Sequence, residues 1–368
     1  MLEGASNDHY LNHPCRRIRA YVRRKPFNDV GNRCFCHSSN LVLLNINDIP
    51  IATAAIIVIA IVFIAFTGLE KDAARPLSPD LISGISNSLF GHGKYGISYT
   101  AYNDDGTCKT QDQVDSDMAQ LRQFAFVRFY GVDCNQAQTI SKAARGNNMQ
   151  VFAGVFDIQN MNNDLQKIID AADGDWSTFH TVSVGNELVN RGQSSPAEVI
   201  GAVNSARNRL RQAGYQGPVV TVDTFNQIIA HPELCDASDY CAANCHAFFD
   251  SNQTAENAGP YVLEQARQVS QAMKDGNKGV IITETGWPSA GEANGAAVPS
   301  RHNQIVALKS LKQSFPDGGV VFFSAFNEKW KQDNAWTFGT EKNWGLFDFS
   351  DTKDAISEIL NPLKGNGV

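Results

Sequence analysis

Charged residues are scarce. Asp, Glu, Lys and Arg make up 19% of the 368 residues against 43% hydrophobic, a balance that excludes a disordered polyelectrolyte. Positive charge is the scarcer sign, with 31 Lys and Arg against 38 Asp and Glu and a net charge of −7. A nucleic-acid partner is not expected, because there is no cationic excess to neutralise phosphates. Eight cysteines and eight histidines nowhere fall at zinc spacing. The chain has no P-loop and no convincing serine-nucleophile elbow. After its first β-rich run, "AYNDDGTC" has one glycine where a dinucleotide fold has a glycine-rich turn. No cofactor and no catalytic metal are expected.

One uncharged run stands out. "IPIATAAIIVIAIVFIAFTGL", residues 49–69, has 21 residues, about 31 Å as a helix, the thickness of a bilayer core. A signal peptide would start nearer the N-terminus and have a shorter apolar core. Arg16, Arg17, Arg19, Arg23, Arg24, Lys25 and Arg33 precede the run. Residues 1–48 carry seven Lys/Arg and four Asp/Glu, whereas residues 70–368 carry 24 and 34. The positive-inside rule keeps the N-terminus in the cytosol and sends the rest across. The expected organisation is a cytosolic basic tail (1–48), a transmembrane signal anchor (49–69), a Pro/Gly/Ser-rich linker (70–93) and a folded domain (94–368) in a single-pass type II protein of the plasma membrane.

Cys15, Cys34 and Cys36 would then stay reduced, while Cys108, Cys134, Cys235, Cys241 and Cys245 face an oxidising space. Cys108 with Cys134 is the expected bridge, because both follow adjacent strands. The other three leave the pairing open, with one odd cysteine. Asn252-Gln-Thr254 is a glycosylation sequon on the translocated side.

From 94 onward one plan repeats: an apolar β-rich run, polar or aromatic residues, then a helical stretch. The runs are 95–102, 125–131, 150–157, 181–187, 218–224, 240–249, 279–287 and 319–328. "SPAEVIGAVNSARNRLRQAG" shows the helical part, with Ser195-Pro196 and Glu198 as start signals and Gly214 as stop. Val199, Val203, Ala206 and Leu210 form one apolar stripe. Eight such units in an α/β chain of this length predict a closed (β/α)8 TIM barrel, with chemistry at the strand ends.

Those ends carry carboxylates ringed by aromatics. Glu187 closes "TVSVGNE" behind Asn186, and Glu284 closes "VIITE" ahead of "TGWPS". A glutamate there is by default only a favourable helix N-terminal charge. Two of them across one barrel mouth cannot both ionise comfortably, so one becomes an acid.

The Asn-Glu of the fourth run and "TETGWPS" of the seventh resemble glycoside hydrolase family 17, in particular fungal cell-wall β-1,3-glucanases and glucanosyltransferases. "GISYTAY", "VRFYG", "AANCHAFFD" and "WGLFDF" extend the resemblance over most of 94–368. It implies a retaining glycosidase acting on β-1,3-glucan at the outer face of the cell, with Glu187 as acid/base and Glu284 as nucleophile. A β-1,3-glucanosyltransferase with the same pair and an inactive glucan-binding barrel tying wall to membrane are the alternatives. Asn186 is expected to bond the sugar 2-hydroxyl and Trp287 to floor a subsite. Tyr99, Tyr130, Phe248, Phe249 and Phe326 are expected to line subsites, and Trp330 and Trp336 to edge the groove. Asp223 and His246 would orient the glutamates. Lys331, beside Glu328, would stand near the substrate, and Arg128 is the expected buried cation.

Overall fold

The computed structural model describes residues 94–275 and 278–360. The expected tail (1–48), membrane span (49–69) and linker (70–93) lie outside the described residues. Among the described residues, no helix is long and apolar enough to cross a membrane.

Eight parallel strands close into a barrel in chain order, β1 pairing with both β2 and β8. The elements are β1 (Lys94–Ser98), α1 (Gln111–Leu121), β2 (Phe126–Phe129), α2 (Gln136–Gly146), β3 (Gln150–Val155), α3 (Met161–Ala172), β4 (Phe179–Asn186), α4 (Pro196–Gln212), β5 (Val219–Thr224), α5 (Phe225–Ala230), α6 (Glu233–Ala237), β6 (Cys241–Asn244), α7 (Ala258–Ala272), β7 (Val280–Thr285), α8 (Arg301–Ser314), β8 (Gly318–Phe322) and α9 (Ser350–Leu360).

Local sequence explains these elements. At the start of α4, the Ser195 hydroxyl accepts from the Glu198 N–H and the Glu198 carboxylate accepts from the Ser195 N–H, a reciprocal cap. The helix buries Val199, Val203, Ala206 and Leu210, the predicted stripe. The barrel interior is an apolar plug of Phe126, Phe152, Val220, Val222, Tyr240, Ala242, Ile281 and Val321. Gly96 makes room for it, since a Cβ there would lie 2.4 Å from the Phe126 ring.

Several strands end earlier than their apolar runs. β1 stops at Ser98 rather than 102, β6 at Asn244 rather than 249, and β8 at Phe322 rather than 328. Beyond those points Tyr99, Ala101, Ala247, Phe248 and Ala325 are buried all the same. They pack beneath the connecting loops, so their apolarity reads like a continued strand.

Two register shifts re-aim the strand ends that matter most. Ser183 pairs with Val220 but Asn186 with Val222, so β4 advances three residues against two of β5. Ile282 pairs with Val320 but Thr285 with Phe322, the same excess in β7. Such bulges bend a strand and redirect its side chains.

Cys108–Cys134 joins the β1–α1 and β2–α2 connections, as expected. Cys235–Cys241 ties α6 to β6, and the odd cysteine is Cys245, buried and outside any disulfide.

Candidate active site

A cleft of about 830 Å³ opens at the C-terminal ends of the strands, a size at the upper end for small-molecule sites. Glu187 and Glu284 both line it. Glu187 follows the β4 bulge with φ of 55°, a left-handed conformation uncommon for a side chain of this kind. Its N–H donates to the Val222 carbonyl at 2.8 Å, which holds the turn against β5.

Asn244, at the end of β6, connects the two carboxyl groups. Its Oδ1 accepts from Thr283 Oγ1 at 2.8 Å and from Arg128 Nη1 at 3.3 Å, which turns the amide nitrogen toward the cleft. Asn244 Nδ2 donates to Glu187 Oε1 at 2.8 Å and to Glu284 Oε1 at 3.0 Å. The separation of those oxygens cannot exceed these two bonds laid end to end. At the roughly 120° between an amide's N–H bonds it is about 5 Å.

Glu284 is surrounded by donors. Arg128 Nη1 donates to its Oε1 at 2.8 Å, and His246 Nε2 lies 3.2 Å from its Oε2. Burial disfavours the charge of Glu284, yet the Arg128 guanidinium, His246 and the more distant Lys331 together outweigh it and hold the carboxyl at about 2. Glu187 shifts the other way. Burial, then the negative charge of Glu284, raises its pKa, and the Asn244 bond offsets only part of this. Two glutamates thus acquire opposite protonation preferences from their surroundings, the pattern of an acid beside a fixed anion.

Arg128 is 1% exposed and also sets the orientation of Asn186. Its Nη2 donates to Asn186 Oδ1 at 2.7 Å, which leaves the Asn186 amide N–H bonds available to a ligand. On the opposite side, Lys331 Nζ lies 2.7 Å from Glu328 Oε2, and Thr100 Oγ1 donates to Glu328 Oε1 at 2.5 Å. Burial would lower the pKa of Lys331, but the neighbouring Glu328 charge more than offsets it and the pKa is raised.

Of the residues expected from sequence, Tyr130, Asn186, Glu187, His246, Phe249, Glu284, Trp330 and Lys331 line this cleft. Others stand elsewhere. Trp287 is fully buried, its ring 5.5 Å from Phe248 and its indole N–H donating to the Val298 carbonyl at 3.0 Å. It floors no subsite, because the chain leaves the sheet at Thr285 and folds the indole back into the core. Phe248 is likewise fully buried. Tyr99 and Phe326 line a smaller recess beside the cleft, and the Tyr99 hydroxyl is engaged with Asp117 at 2.8 Å. Asp223 bonds neither glutamate. It accepts from the backbone N–H groups of Val189, Asn190 and Thr224, and so fixes the loop after Glu187. Trp336 is 81% exposed and is not part of the cleft wall.

Asn244, Phe156, Arg191, Phe323, Glu341 and Trp344 belong to the cleft or its carboxylate bridge without having been singled out from sequence. The only sequence signal for Asn244 is that it is a lone amide in the middle of the apolar run 240–249.

A family model described as the BtgE/BtgC glycoside hydrolase domain matches residues 96–345. The chain is 45% identical over 257 residues to the cell surface mannoprotein MP65 of Candida albicans, covering 69% of this chain and 67% of that protein. It is also 45% identical over 265 residues to the probable family 17 glucosidase SCW4 of Saccharomyces cerevisiae, covering 72% and 67%. Among solved structures, an active-site mutant of Rhizomucor miehei β-1,3-glucanosyltransferase in complex with laminaritriose aligns with a TM-score of 0.60 at 25% identity, over 71% of this chain and 94% of that one. The chain therefore belongs to the BtgE/BtgC glycoside hydrolases, a family-17-type glycosidase built on an eight-stranded barrel.

Proposed function

We propose that the chain is a retaining glycosidase that cuts β-1,3-glucan internally by double displacement. The observation that carries this reading is the single Asn244 nitrogen bonded to both glutamates. A separation of about 5 Å suits a nucleophile in direct contact with the sugar; an inverting pair stands farther apart to admit a water.

In the first step a Glu284 oxygen attacks the anomeric carbon. The bond from that carbon to the bridging oxygen breaks, and Glu187 gives its proton to the departing oxygen. Asn186 donates to the 2-hydroxyl, a contact that strengthens as the ring gains oxocarbenium character. Once Glu284 is esterified, its charge no longer raises the pKa of Glu187. Glu187 is then free as a base. It takes a proton from an incoming hydroxyl, whose oxygen attacks the anomeric carbon and releases Glu284.

The incoming hydroxyl belongs to water in a hydrolase and to a second sugar chain in a transferase. The Rhizomucor miehei relative is named a glucanosyltransferase, which favours keeping transfer as the second reading. Mass analysis of products from one defined β-1,3-linked oligosaccharide separates the two. Shorter products alone mean hydrolysis, products longer than the substrate mean transfer, and an unchanged substrate would overturn both.

We further place the catalytic domain outside the cell on a type II anchor at residues 49–69. Two disulfides support an oxidising compartment, and one relative is named a cell surface mannoprotein. Protease treatment of intact wall-less cells should remove the domain; protection would contradict this topology.

A further inference from the structure

Two aromatic rings in the cleft wall are each 44% exposed, Phe249 and Phe156. Phe249 follows β6 on the Glu284 side. Phe156 follows β3, which is four strands from β7 in a ring of eight, so it stands across the mouth from Glu284. An isolated exposed phenylalanine on an outer surface needs no explanation. Phe156 instead faces the same cleft as the two glutamates and is held in place. Its carbonyl accepts from the Asn186 N–H at 3.1 Å, one residue before Glu187. The Arg191 guanidinium lies 4.7 Å from its ring centroid. Arg191 is fixed in turn, its N–H donating to the Glu187 carbonyl at 2.9 Å and its Nε to Gln193 Oε1 at 3.0 Å.

We propose that Phe156, backed by Arg191, is a stacking platform for a glucosyl ring of the substrate that lies outside the pair of rings joined by the bond being cut. The inference rests on the glucan reading above. A pyranose ring presents an apolar face of C–H groups and a rim of hydroxyls. The phenyl ring meets the face, and Asp157 and Lys167, which line the same end of the cleft, meet the rim. The platform gives longer chains an affinity that short ones lack, so it sets the length the enzyme prefers.

The test uses the full chain carrying Glu284→Gln, which binds without turning over. Dissociation constants for a β-1,3-linked glucose trisaccharide and hexasaccharide are measured by titration calorimetry, alone and with Phe156→Ala or Phe156→Trp added. The advantage of hexasaccharide over trisaccharide should fall by about tenfold with Phe156→Ala, the scale of one lost stacking contact, and persist with Phe156→Trp. An unchanged advantage in the alanine variant would overturn the platform and leave the glucan reading standing. Failure of the Glu284→Gln chain to bind either oligosaccharide would overturn both.

Discussion

Phe126 and Arg128 leave β2 two residues apart and enter the same barrel, yet they meet opposite surroundings. Phe126 packs in an apolar plug with Phe152, Val222 and Ala242. Arg128, one layer nearer the mouth, donates to Asn186, Asn244, Thr283 and Glu284. β6 repeats the change, with Ala242 in the plug and Asn244 bridging the glutamates. Phe126 and Arg128 are 2% and 1% exposed, so burial alone does not distinguish a structural layer from a chemical one. The distinction lies in whether the buried groups bond one another. The plug holds the strand spacing; the polar layer, resting on it, shifts the two carboxyl groups in opposite directions, Glu284 down and Glu187 up.

Substitutions in the two layers should therefore fail differently. The largest effect is expected at the mouth. Glu187→Ala and Glu284→Ala should each lower kcat on β-1,3-glucan by about 10³-fold or more, with a thermal midpoint near that of the wild type. Reducing-end release and calorimetry check both halves of that statement. Next comes the plug. Phe126→Ala should cost about 3–5 kcal/mol of stability, read by denaturant unfolding, while turnover per folded molecule stays close to the parent value. Its removal leaves a cavity in the plug, while the donors to the two glutamates, Arg128, Asn244 and His246, stay in the sequence.

Arg128→Met makes the polar layer above the plug more apolar. In the proposed mechanism, activity requires Glu284 ionised and Glu187 protonated. It is lost as pH falls through the pKa of Glu284, held at about 2, and as pH rises through the raised pKa of Glu187. Without the guanidinium, burial of Glu284 is opposed mainly by His246, and its pKa rises. The acid limb of kcat/KM should move to higher pH. The same change has a stability side. A depressed carboxyl pKa contributes stability that is present above its ordinary value of 4.5 and is lost as pH falls toward about 2. Arg128→Met should erase that contribution, visible as a flatter thermal midpoint between those pH values.

Much of the barrel is legible in the chain because every strand carries a β-rich apolar run and the longer helices bury an apolar stripe, α1, α4 and α8 with a side-chain cap as well. The glutamates are legible because each ends such a run beside residues that suit a sugar. The layer between plug and mouth is harder to read. Asn244 sits among Ala and Cys, and only the closure of eight strands brings it between two groups 57 and 40 positions away. Trp287 misleads for the opposite reason. It follows a carboxylate by three positions, like a subsite wall, but β7 leaves the sheet at Thr285 and its ring packs on Phe248. Phe248 and Phe249 are adjacent in sequence, yet one is fully buried and the other half-exposed in the cleft. A short 3₁₀ turn, Ala247–Phe249, decides which ring faces the cleft, and its phase is not encoded by apolarity.

Glu187 and Glu284 are proposed to work as a retaining pair. Proton NMR of the newly formed reducing end, on the fragment that leaves Glu284 when a β-1,3-linked oligosaccharide is cut, tests it most directly, recorded before the free sugar equilibrates. The β-anomer should appear first and the α-anomer only by later mutarotation. An α-anomer as the first product would mean inversion and would contradict the roles given to both glutamates.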